Sequence, residues 1–78
     1  MTNYSWYYHE PAAGAYHAIE RHADGPKRTY RVTFCLDPAT GNPRSYTGFL
    51  PNLRTAKAVL LHLAPDAEQL EGLPAFLR

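Results

Sequence analysis

The stretch TYRVTFCLDPATGNPRSYTGFLPNLRTAKAVLLHL, Thr29 to Leu63 of a 78-residue chain, decides the fold. Its first part, Arg28 to Leu36, alternates strictly. Tyr30, Val32 and Phe34 fall on one side and Arg31 and Thr33 on the other, with Cys35 beside them. Aromatic and β-branched residues in period two predict a strand with one buried face. The run Asp37-Pro38-Ala39-Thr40-Gly41-Asn42 predicts a tight turn, because Pro38 presets φ and Gly41 accepts a left-handed backbone. A returning strand is expected over Arg44 to Leu50. Tyr46 and Phe49 fall on opposite faces of it, so a bulge at Gly48 is expected to bring both to the core. Pro51 ends that strand and Asn52 is an N-cap for a helix over Leu53 to Leu63. Ala56, Val59, Leu60 and Leu63 have the spacing of a helix lying on a sheet. Arg54 and Lys57 stand near the helix start, where cations oppose the macrodipole.

Upstream, Ala15 to His22 fits either one helical turn, through Tyr16, Ile19 and Glu20, or a strand; the strand is favoured, because Ala23-Asp24-Gly25-Pro26 after it signals a hairpin. The N-terminal run Asn3 to Glu10 is rich in aromatics, with Tyr4, Trp6 and Tyr8 alternating against Ser5, Tyr7 and His9. It predicts an edge strand or an extended arm, closed by Pro11. Downstream, Ala64-Pro65-Asp66 breaks the helix, and Asp66 to Glu71 predicts a short helical turn stopped by Gly72. Leu70, Leu73, Phe76 and Leu77 would close the core. The expectation is one small α+β domain: a three- to four-stranded antiparallel sheet, one main α-helix on one face, and a short C-terminal helical segment. Within it, residues 1–14 form an aromatic strand or arm, 15–63 a β-β-β-α core, and 64–78 an acidic and apolar C-terminal segment.

Size and charge bound the function. A domain this small buries about 60% of its unfolded surface and has little room for a deep cleft. The chain carries a formal charge of +1, unevenly spread. Arg21, Lys27, Arg28, Arg31, Arg44, Arg54 and Lys57 face only Asp24 and Asp37 in the central segment, which is +5, and the two ends together are −4. A basic centre with acidic flanks steers a polyanion or an acidic protein. The lone Cys35 excludes an internal disulfide and fits a reducing cytoplasm. No basic and apolar leader and no run of about 20 apolar residues is visible, so a cytoplasmic protein without membrane contact is expected.

Catalytic patterns are weak. His9, His17, His22 and His62 lack the spacings of a metal site, so no metal and no cofactor is expected. Cys35 with a histidine is a formal nucleophile pair, but a cysteine within a strand is usually a small buried apolar group. No glycine-rich phosphate loop is present, and a non-enzymatic protein is expected. Nucleic-acid binding is the leading expectation, through Arg21, Lys27, Arg28, Arg31, Thr33, Arg44 and Thr47 on and around the outer face of the sheet.

The run TYRVTFCLDPATGNPRSYTGFL followed by TAKAVLLHL resembles the β-β-β-α domain of AP2-type and integrase arm-type DNA-binding modules. Tyr30, Val32, Gly41, Tyr46, Gly48, Phe49, Ala56 and Ala58 occupy comparable places over about half the chain. The resemblance implies DNA contact through the sheet, at Arg31, Thr33, Arg44 and Thr47. The chain departs from the pattern at the Pro51-Asn52-Leu53-Arg54 helix entry and in its acidic C-terminal extension. The alternative is a protein-binding inhibitor of the kind carried by phages and plasmids, including anti-CRISPR proteins. It would act on a host complex through Trp6, Tyr7 and Tyr8 or an exposed edge strand. A homodimer through an edge strand or the apolar C-terminal tail is a further expectation.

Overall fold

The computed structural model describes residues 3–24, 27–40 and 42–72. Its elements are β1 (Asn3–Glu10), β2 (Ala15–Asp24), β3 (Lys27–Phe34), β4 (Ser45–Tyr46), α1 (Leu53–Leu63) and β5 (Glu68–Gln69). All strands pair antiparallel in one sheet of order β4-β3-β2-β1-β5. The α+β class is as expected, with one strand more than the upper count.

β2 is the central strand, paired with β1 on one side and β3 on the other. Gly14 takes φ +62° in the turn after β1, where its N–H donates to the Pro11 carbonyl at 3.2 Å. The β2–β3 hairpin pairs Asp24 with Lys27 and, from there, Arg21 with Tyr30, Glu20 with Arg31 and Ile19 with Val32. The hairpin expected from the Asp-Gly step is therefore formed; Gly25 and Pro26 lie outside the described residues, as does Gly41 of the next turn.

Alternation divides the side chains between two packed faces. On one, Tyr8, Ile19, Val32, Ala56 and Leu60 form the larger core, flanked by Trp6, Tyr30, Phe34, Leu50, Leu53, Val59 and Ala67. This is the helix side, and Tyr30, Val32 and Phe34 point there as their spacing predicts. Ile19, Val32, Ala56 and Leu60 are wholly buried, each worth about 1.5–3 kcal/mol of burial for the larger side chains. On the other face, Tyr7, Ala18 and Leu36 form a second core with Tyr16 and Leu70. Leu70 thus packs as expected of an apolar tail, while Leu73, Phe76 and Leu77 lie outside the described residues.

Asn52 caps α1 in extended backbone (φ −151°, ψ 164°), and its side chain accepts from the Thr55 N–H at 2.8 Å. Ala56 and Leu60 face the sheet and Val59 is half-buried, but Leu63 is 62% exposed. Leu63 corrects the expected stripe: it is the helix's last residue, and the chain turns back at Ala64, whose N–H donates to the Leu60 carbonyl.

Four further expectations are corrected. β1 is neither edge nor arm: it lies between β2 and β5. Its alternation breaks at Ser5, since Tyr4 pairs with Glu20 but Trp6 pairs with Ile19, a one-residue shift typical of a bulge. Glu68–Gln69 is a strand and not a helical turn, because β1 offers Tyr8 and His9 as ladder partners and the Leu70 N–H reaches the Tyr7 carbonyl at 2.8 Å. The strand expected over Arg44 to Leu50 shortens to Ser45–Tyr46 plus a single bridge between Tyr30 and Leu50. Cys35 is exposed, with φ +55°, because β3 ends at Phe34 and the chain reverses there.

Candidate functional site

Between Tyr46 and Leu50 the chain arches away from β3 instead of pairing along it. Thr47 holds the arch. Its N–H donates to the Val32 carbonyl at 2.9 Å, and its hydroxyl accepts the Val32 N–H at 3.1 Å while donating to the Gly48 carbonyl at 2.8 Å. A side-chain oxygen thus replaces a ladder carbonyl. Consequently Tyr46 and Phe49 do not enter the core: they are 62% and 60% exposed. Gly48 does not have the left-handed φ of Gly14 or Gly72, and nothing lies near its Cα on the open side.

Beneath the arch lies a buried carboxylate. Glu20 is 1% exposed and sits directly across from Arg31. Arg31 Nη2 donates to Glu20 Oε1 and Oε2 at 3.2 and 3.1 Å, and His22 Nε2 stands 2.8 Å from Oε2. A buried charge needs such partners, since leaving it alone costs several kcal/mol. The Arg31 guanidinium lies 4.4 Å from the Tyr46 ring centroid and 5.4 Å from that of Phe49, both within cation–π range. The His22 ring meets Phe49 edge-on at 5.1 Å. Arg31 Nε is buried without a hydrogen-bond partner. The result is a two-ring platform fixed from below by one guanidinium, one imidazole and one carboxylate.

The residues expected to touch nucleic acid are distributed unevenly around this platform. Arg31 is at its centre, but as the partner of Glu20. Thr33 is wholly buried, its hydroxyl donating to the Ala18 carbonyl at 3.2 Å, so it offers nothing to a ligand. Thr47 is committed to the arch. Lys27 is exposed and shares the Arg31 side of β3 by alternation, roughly 13 Å along the strand at about 3.3 Å per residue. Arg44 is exposed beyond β4 at the other end. Arg21 and Arg28 are exposed too, but alternate with Ile19 and Tyr30 and so fall to the helix side. The platform strip therefore runs from Lys27 past Arg31, Phe49 and Tyr46 to Arg44. The aromatic residues considered for a protein partner lie elsewhere: Tyr7 and Tyr8 are 7% and 3% exposed, in the two cores, and Trp6 is half-buried against Tyr30.

The histidine nearest Cys35 is a structural one. His17 Nδ1 accepts the Cys35 backbone N–H at 3.0 Å, and its other nitrogen, which then carries the proton, donates to Glu10 Oε1 at 2.8 Å. Both ring nitrogens are occupied, so this imidazole has no lone pair left to take a proton from a thiol. Among the described residues no group of three or more His, Cys, Asp or Glu side chains is placed to hold a metal ion, and no helix is long and apolar enough to cross a membrane.

Sequence reasoning named Arg31 but missed Glu20, His22, Tyr46 and Phe49 as its surroundings. Comparison with known proteins supplies no further guide: no family model, no curated protein and no solved structure matches this chain.

Proposed function

We propose that the chain is a small, non-enzymatic, cytoplasmic binding module that holds a single strand of DNA or RNA along β3 and β4. The observation that carries this reading is the exposure of Tyr46 and Phe49 around the Arg31 guanidinium. Two rings held open to water by hydrogen bonds beneath them form a stacking surface, and base–aromatic stacking contributes about 1–3 kcal/mol per base. Lys27 and Arg44 stand at the two ends of the strip, where phosphates on either side of a stacked base would fall. Reading a duplex groove, as the β-β-β-α resemblance implies, needs Arg31 and Thr33 free, and both are engaged within the sheet. Stacking of unpaired bases needs only the rings.

The test is titration of the chain into a labelled single-stranded oligonucleotide at two salt concentrations. The joint variant Tyr46→Ala/Phe49→Ala is expected to lose at least about tenfold in affinity with its circular dichroism unchanged. Lys27→Ala and Arg44→Ala are expected each to reduce the salt slope by about 0.7. Absence of binding to any single strand at low salt sinks the reading.

The same patch supports a second reading, a protein-binding inhibitor, because exposed Tyr, Phe and Arg are the residue types of interface hot spots. In that case the surface is Tyr46, Phe49 and Arg31 in place of Trp6, Tyr7 and Tyr8. Capture of a partner that survives nuclease and is insensitive to salt favours it.

A further inference from the structure

Helix α1 keeps Ala56 and Leu60 on the sheet, yet its outer side is not a polar one. Two parallel rows, Arg54, Ala58 and His62 beside Thr55, Val59 and Leu63, line a shallow and mostly apolar groove along it. Leu63 is 62% and Leu61 42% exposed. The middle of the groove holds the exposed Ala58, the smallest side chain in either row. A small residue at that point lets a second helix approach to the short end of the 8–10 Å range of interaxial distances.

The charges of the helix are arranged against its own stability. Its first turn carries no acidic residue, Arg54 stands there, and Lys57 follows. Among the described residues neither cation forms an ion pair. A cation at this end faces the positive pole of the helix, which is unfavourable by a few tenths of a kcal/mol for the isolated chain. The last turn offers the opposite pole: the Leu60 carbonyl takes the Ala64 N–H, and the carbonyls of Leu61, His62 and Leu63 form the negative end, beside the His62 ring and with Asp66, whose carboxylate accepts the Ala12 N–H at 3.2 Å, just beyond.

We infer that this face is the contact between two copies of the chain, their helices packed antiparallel about a twofold axis at Ala58. Arg54 and His62 lie one turn to either side of Ala58, so the twofold sets Arg54 of each copy over the last turn of the other. The cation that opposes its own helix pole then meets the negative pole of its partner, and it does so twice in an isologous contact. Leu63 of each copy, at the edge of the groove, comes level with the first turn of the other, while Leu61 projects from a different side of the helix and stays outside the contact. A parallel pairing would set Arg54 against Arg54 and relieves neither charge. The helix and the Tyr46–Phe49 platform lie on opposite faces of the sheet, so the dimer leaves both platforms open. An 11-residue helix pair falls at the small end of specific interfaces, and the dimer is accordingly weak, with dissociation at about 10–100 μM.

Sedimentation equilibrium of the full chain over a range of concentrations tests this. A reversible monomer–dimer equilibrium is expected. Ala58→Glu, at an exposed position, is expected to leave the chain folded and to weaken association at least about tenfold. Arg54→Glu separates the inference from a general loss of fold: it is expected to weaken dimerisation at least about fivefold while raising the melting temperature of the dilute monomer, because an acidic group suits the first turn. A chain that stays monomeric at about 1 mM overturns the inference. So does a dimer that Ala58→Glu and Arg54→Glu leave unchanged, since it must then use another surface, such as a sheet edge.

Discussion

Glu20 and Arg31 face each other across β2 and β3, with Arg31 Nη2 3.1 Å from a carboxylate that is 1% exposed. The pair couples the platform to the fold. Arg31→Ala removes the main cationic partner of a buried charge and also the support of two exposed rings, so it is expected to destabilise the chain by about 3 kcal/mol. Replacing both members, as in Glu20→Leu/Arg31→Met, removes the charge with its partner and is expected to stay within about 1 kcal/mol of the parent. Urea unfolding of the three proteins decides it; a cost of less than about 0.5 kcal/mol for Arg31→Ala would show that the pair contributes little. The consequence for function is practical. Loss of ligand binding in Arg31→Ala cannot be read as a lost contact, whereas Tyr46 and Phe49 are exposed enough to be removed cleanly.

The arch that exposes those rings depends on one hydroxyl. Thr47→Val keeps the β-branched shape but leaves the N–H of the wholly buried Val32 without an acceptor, at a cost of about 1–3 kcal/mol. Thr47→Ser retains the oxygen and is expected to cost less than about 0.5 kcal/mol. Amide hydrogen exchange at Val32 supplies a local readout: protection should fall in Thr47→Val and persist in Thr47→Ser. Equal protection in both variants would falsify the assignment of this bond.

Cys35 holds φ +55°, in the left-handed region that L residues other than Asn and Asp rarely occupy. Cys35→Gly relieves that strain but gives the unfolded chain more freedom, and the two effects, each about 1 kcal/mol, are expected to cancel to within about 0.5 kcal/mol. Cys35→Val places a β-branched side chain in the same backbone conformation and is expected to cost about 1–3 kcal/mol. Thermal melts of both variants test this, and equal melting temperatures would refute it. Because the thiol is exposed, the native chain is also expected to react with a maleimide without prior unfolding.

Where the sequence could be read, local chemistry decided the structure. The hairpin follows from Asp24-Gly25, the helix start from Asn52, and the core side of β3 from Tyr30, Val32 and Phe34, each a signal contained in a few adjacent residues. The platform was harder because its parts meet only in three dimensions. Tyr46 and Phe49 looked like core residues across a bulge; whether they point in or out is settled by the Thr47 hydroxyl finding Val32, 15 residues away. Glu20 read as part of an acidic flank. Yet a two-residue hairpin loop at positions 25 and 26 pairs 24 with 27 and hence 20 with 31, so the Glu20–Arg31 pair was within reach of the hairpin signal itself. Glu68–Gln69 was out of reach for a different reason. Two residues have almost no intrinsic preference, and the ladder groups of Tyr8 and His9 made them a strand.

Burial raises the Tyr8 phenol above its ordinary value of 10.0, and this makes the larger core sensitive to alkali. The ring is 3% exposed among Ile19, Val32, Ala56 and Leu60, and among the described residues its hydroxyl reaches only Gln69 Oε1, at 3.5 Å. The charged phenolate is the form that burial penalises. The sign follows from linkage. Between the unfolded and the raised folded value, the native chain holds the proton and the unfolded chain releases it, so stability falls as pH rises. The contribution of Tyr8 is fully present below about pH 10 and is lost as pH climbs through the folded value. Tyr8→Phe cannot ionise and forfeits only a long hydrogen bond, so it is expected to match the parent in stability near neutrality and to exceed it above about pH 10. Urea midpoints measured across that range for both proteins give the comparison. Parallel profiles for the two would mean that the phenol ionises without penalty, and hence that the ring is not held in the core where Ile19 and Leu60 meet.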